Sequence, residues 1–143
     1  VNGLLGLLVV TLTAVACDAT EGKTLDASGG EVTSADGRLV LDVPAGALVE
    51  QAAVAITQEG DCMEGGVACY ALEPLGLPLA VPARLTYHYD ASDMEVPGLA
   101  QSAVWSSWGE TWLRLADRAV DMDAGTVSSS VTVLGDVTVV VPQ

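Results

Sequence analysis

The chain has 143 residues, 50% of them apolar, and a formal net charge of −14 from 19 acidic and 5 basic side chains. That length suits one ordinary domain, and that apolar content excludes a disordered acidic chain. So negative a surface repels phosphate backbones and argues against nucleic acid as a partner. A single histidine leaves little for acid–base or metal chemistry.

Residues 4–16 form a nearly unbroken apolar run, and no charged side chain precedes Asp18. A bilayer-spanning helix needs roughly 18–20 such residues, so the run is too short for one. It has the form of an export signal's apolar core closing on small residues, which predicts a signal peptide over residues 1–16. Cys17 stands directly after Ala16, and the stretch resembles the lipobox of bacterial lipoproteins. That resemblance implies acylation of Cys17, membrane lipid as a partner through the acyl chains, and a place in the cell envelope. The alternative is plain secretion, because Ala14-Val15-Ala16 also fits an ordinary cleavage site. Residues 17–23 are short and polar and read as a tether, leaving residues 24–143 for the fold.

From Thr24 onward the apolar residues recur with a period of two, the signature of strands. Leu39, Leu41 and Val43 share one face; Val54 and Ile56, Tyr70 and Leu72, then Leu85, Tyr87 and Tyr89 follow. Val127, Ser129, Val131 and Val133 alternate next, and Val137, Val139 and Val141 close the chain. Turn residues separate these runs at Gly29-Gly30, Asp36-Gly37, Glu64-Gly65-Gly66, Pro97-Gly98, Trp108-Gly109, Asp123-Ala124-Gly125 and Gly135-Asp136. The spacing predicts an all-β, antiparallel sandwich of roughly ten short strands. Helix is nearly excluded, save one turn over residues 44–48, where Pro44 would take the first helical position. Ala47 and Leu48 are expected to plug one end of the sandwich.

Several of these segments together resemble the ZU-five domain of zonula occludens, netrin-receptor and ankyrin proteins. They are Gly29-Gly30-Glu31-Val32, then Asp36-Gly37-Arg38-Leu39-Val40-Leu41-Asp42-Val43-Pro44-Ala45-Gly46-Ala47-Leu48, then Val54-Ala55-Ile56. Tyr70-Ala71-Leu72-Glu73-Pro74, the run from Leu79 to Tyr87, Trp112-Leu113-Arg114-Leu115 and the strand pair Thr126–Val141 continue the resemblance in order, over roughly Thr24 to Val141. It implies a β-sandwich that serves in protein–protein contact. Some members of that family cleave themselves at His-Phe-Ser near the last strand; the comparable Val133-Leu134-Gly135-Asp136 has neither base nor nucleophile.

Few residues invite a chemical reading. Cys62 and Cys69 flank a Gly-Gly turn, and in an exported protein they are expected to oxidise to a disulfide that staples the loop. His88 should face away from Leu85, Tyr87 and Tyr89, and no partner spacing for hydrolysis or zinc accompanies it. Asp90, Asp93 and Glu95 form one acidic cluster; Asp117, Asp121 and Asp123 form another. Calcium wants six to eight oxygens, more than either supplies, so these read as turn residues and no metal site is expected. Trp105 and Trp112 would oppose one another across a hairpin centred on Trp108-Gly109, with Val104, Leu113 and Leu115 on the core face. That pair would be a ligand platform unless a loop covers it.

The sequence therefore predicts a lipid-anchored envelope protein whose sandwich is a scaffold or protein-interaction module, without catalysis or cofactor. A carbohydrate-binding module using Trp105 and Trp112, with glycan as partner, is the alternative.

Overall fold

The computed structural model describes residues 22–60, 63 and 65–142. The expected export leader, Cys17 and Cys62 lie outside the described residues. Antiparallel strands dominate: β1 (Lys23–Leu25), β2 (Gly30–Thr33), β3 (Leu39–Val43), β4 (Ala52–Gln58), β5 (Gly66–Glu73) and β6 (Pro78–His88), then β7 (Ala103–Ser107), β8 (Leu113–Arg114), β9 (Ala119–Asp121), β10 (Thr126–Val133) and β11 (Asp136–Val140). They form a six-stranded sheet in the order β1-β4-β5-β11-β7-β8 and a five-stranded sheet in the order β2-β3-β6-β10-β9. Among the described residues the helical pieces are two 3₁₀ turns, Asp93–Glu95 and Leu99–Gln101. No helix there is long and apolar enough to cross a membrane.

One residue in two along the strands meets the core because successive side chains point to opposite faces. The five-stranded sheet contributes Leu39, Leu41, Val43, Leu85, Tyr87, Val127 and Val131, all buried; the six-stranded sheet contributes Val54, Ile56, Tyr70, Leu72, Val104, Val137 and Val139. Leu41 faces Leu85 across the β3–β6 ladder, so two fully buried side chains interlock at the centre. Each such leucine contributes about 1.5–3 kcal/mol through removal from water. Ser129, also at 0% exposure, sits among them opposite Leu85.

Residues 44–48 differ from the expected helical turn. The Ala47 N–H donates to the Pro44 carbonyl at 3.2 Å, and Gly46 has φ +85°. A left-handed third residue belongs to a type II turn and ends any helical run; only glycine takes it without strain. The Ala80 N–H then donates to the Ala47 carbonyl at 2.8 Å. That bond pins the turn to β6, and Ala47 and Leu48 are buried in the core, closing this end of the sandwich as expected.

Candidate functional site: a groove beside Trp108

The chain leaves the six-stranded sheet after β8 and crosses to the other sheet. The crossing is tied down by backbone and side chain together. Ser130 N–H donates to the Ala116 carbonyl at 3.0 Å, Ser130 Oγ to Asp117 Oδ2 at 2.9 Å, and Arg84 Nη1 to the Asp117 carbonyl at 2.9 Å. Asp117 turns the corner with φ +55°, a left-handed conformation that aspartate tolerates better than most residues.

Between this crossing and β10 lies a groove of about 380 Å³, walled by Trp108, Leu113 and Arg114 on one side and by residues 130–133 on the other. Trp108 and Leu113 also wall a smaller hollow of about 140 Å³ with Gly109, Glu110 and Thr111. The Trp108 ring is 66% exposed and Leu113 61%. Exposed indole of that extent, rimmed by polar groups, is the surface that association covers. In the groove wall, Ser106 Oγ is buried yet has no hydrogen-bond partner among the described residues. Buried hydroxyls are nearly always paired, so this one is a donor left open.

Gly135 sets the position of the indole. A Cβ there would stand 2.4 Å from the Ser107 carbonyl oxygen and 3.1 Å from Trp108 Cβ. The absent side chain lets the β10–β11 turn close under the tip of β7. Ser107 Oγ fixes that tip, donating to the Gly109 carbonyl at 2.7 Å.

The hairpin's register corrects the expected tryptophan pair. Trp105 lies opposite Arg114 and Ser106 opposite Leu113, so the hairpin is centred one residue later than Trp108-Gly109. The bend held by Ser107 lengthens the loop, and Trp112 does not oppose Trp105. Both rings are half-buried. Leu113, expected on the core face, is exposed because β8 is only two residues long; Leu115, expected on the same face, packs against the core.

At the opposite end of β6 and β10 a second polar constellation joins the two sheets. Tyr70 of one sheet donates to Asp36 Oδ2 at 2.6 Å, and Tyr87 of the other donates to Asp93 Oδ2 at 2.5 Å. Arg38 binds all parts: Nε to Asp36 Oδ2 at 3.2 Å, Nη1 to the Tyr87 hydroxyl at 2.8 Å and to Asp90 Oδ2 at 2.9 Å. Burial pushes the Asp36 carboxyl up, but hydrogen bonds from Ser34, Tyr70 and Arg38 outweigh it and hold it below the ordinary range. Burial, then the bonds donated to carboxylates, push both phenols far above theirs. Asp36, Arg38, Tyr70 and Tyr87 thus keep one charge state near neutral pH, which suits a clasp rather than proton transfer.

Asp90 and Asp93 belong to this clasp, so the first acidic cluster faces a guanidinium. In the second cluster, Asp121 Oδ1 accepts from the Ala124 N–H at 3.0 Å, a local turn bond. Among the described residues no three of His, Cys, Asp and Glu are grouped to hold a metal ion. His88 is exposed beside buried Tyr87. Cys69 is buried in β5 opposite Thr138.

Neither Trp108 as a surface ring nor Arg38 as a clasp is announced by the periodicity of the chain. The available signal for the clasp was chemical: two tyrosines placed in a core need partners for their hydroxyls. Compared with known proteins, the chain matches no family model and no curated protein.

Proposed function

We propose that this chain is an exported, lipid-anchored envelope protein whose β-sandwich, of the ZU-five type, is a non-catalytic interaction module that takes its partner in the groove beside Trp108. The observation that carries the reading is the groove itself. An indole 66% exposed and a leucine 61% exposed flank a hollow whose wall holds an unpartnered hydroxyl. Anchored aromatic side chains around a concave patch are where binding energy concentrates.

The apolar run over residues 4–16 followed by Cys17 supports the anchor, and acylation of that thiol would supply it. The ZU-five reading rests on the ordered segments quoted above, over roughly Thr24 to Val141. A Cys62–Cys69 disulfide belongs to the same proposal, since export exposes thiols to oxidation. It would constrain the loop whose far end is the buried Cys69.

Two variants test the reading. Cys17→Ser should move the protein from the detergent phase to the aqueous phase; an unchanged partition removes the anchor. Affinity capture from envelope extract, run beside a glycan array, should yield a protein with the wild type and lose it with Trp108→Ala. Retention of the same protein by both, or recovery of glycans alone, rejects the protein-interaction module.

A further inference from the structure

The groove lies between two open sheet edges, and that juxtaposition narrows the class of partner. Among the described residues β8 is the last strand of its sheet and pairs only with β7. The Leu115 N–H turns inward to the Val104 carbonyl at 2.9 Å. Because backbone groups alternate in direction along an antiparallel strand, the N–H and carbonyl of Arg114 face outward. Across the groove, β10 has β9 beside it only over residues 126–128, and then the single bond from Ser130 to Ala116. Past Ser130, no strand borders that side among the described residues. Unpaired edges of this kind are templates for another strand.

Resting on the reading of this groove as the binding site, we propose that its partner is an extended basic polypeptide segment. It adds as a strand along β8, placing an apolar side chain against Trp108 and Leu113. The backbone of such a segment satisfies Arg114, and its alternate side chains meet the groove, which is the division of labour in strand addition. Charge sets the sign of its flanks. The chain carries −14 overall, and Glu110 and Asp117 stand at the rims of the two hollows, against Arg114 in the wall and Arg84 bound to the Asp117 carbonyl. Lysine or arginine flanks are therefore drawn in, and acidic ones repelled.

The probe is a seven-residue peptide alternating valine and threonine between terminal lysines, titrated into the isotope-labelled protein from residue 17 onward. The expected result is saturable shifts at the Arg114 and Ser106 amides and the Trp108 indole. The same peptide with alternate backbone nitrogens methylated should not bind, and a version with glutamate ends should bind at least about fivefold more weakly. Trp108→Ala should weaken binding about tenfold or more.

Equal binding of the methylated peptide, indifference to Trp108→Ala, or no shifts up to about 1 mM peptide, the floor of weak association, overturns strand addition. Cellohexaose serves as the competing probe. If it shifts the Trp108 indole and the peptide does not, the strand proposal fails and the groove survives as a sugar site. If no peptide binds yet envelope capture still depends on Trp108, only the partner class assigned here is wrong. If that capture is also indifferent to Trp108, the groove reading falls with it.

Discussion

Arg38 lies 49 residues from Tyr87 in sequence and touches its hydroxyl; no local pattern announces such a contact. The guanidinium is one-quarter exposed and Asp93 nearly buried, so solvent screens part of its charge. With that discount, Arg38→Ala should cost about 1–3 kcal/mol of stability, chiefly by leaving the Asp93 carboxylate under-paired. Urea unfolding reads it; an unchanged midpoint would show that the clasp is ornamental. Asp36 gives the clasp a pH dependence of known sign. Its folded pKa lies below the ordinary 3.8, so the unfolded chain binds protons first. Its stabilisation is complete above that value and fades as pH falls through the folded one. The gap in unfolding midpoint between wild type and Asp36→Asn should therefore hold steady above about pH 5 and shrink as pH falls below about 4. A constant gap contradicts the assignment. Ser129 offers the opposite case, a buried hydroxyl without a partner among the described residues. Ser129→Ala should raise stability by about 1 kcal/mol, the desolvation cost of an unmet donor; a loss of that size by thermal melting would imply a hidden partner.

At the scale of elements, alternation located the strands well. Leu39, Leu41 and Val43, like Val137 and Val139, are buried as their spacing required, because sheet faces translate directly into a period of two. Turns were less legible. Residues 44–48 read as helix from their proline, yet Gly46 in the left-handed region makes a β-turn. The β7–β8 hairpin was misplaced by one residue, which undid the pairing of Trp105 with Trp112. Its centre depends on the Ser107 hydroxyl bond to Gly109, a side-chain choice that periodicity does not encode. The same tip predicts a sensitive position. Gly135→Ala would push a methyl against the Ser107 carbonyl and should cost about 1–3 kcal/mol by overpacking. It should also redshift or quench the exposed Trp108 fluorescence; an unaltered spectrum and melting curve would show that the turn has slack.

For the whole molecule, the two ends of the sandwich divide the work. One end is locked by Tyr70, Tyr87 and Arg38, and its groups keep their charges near neutral pH. The other leaves two strand edges apart, with Trp108 and Leu113 exposed between them, under a net charge of −14. The acidic composition argues against nucleic acid, but nothing in it located the opening, which arises only where β8 stops after two residues. The most direct test of a binding groove is site-specific photo-cross-linking in intact envelopes, with the probe at position 113 and a control at position 49. Val49 is 87% exposed and lies outside the groove, so it reports general stickiness. A discrete adduct from position 113 that disappears in the Trp108→Ala background is the predicted result. The same adducts from both positions, or none from position 113, would contradict the account.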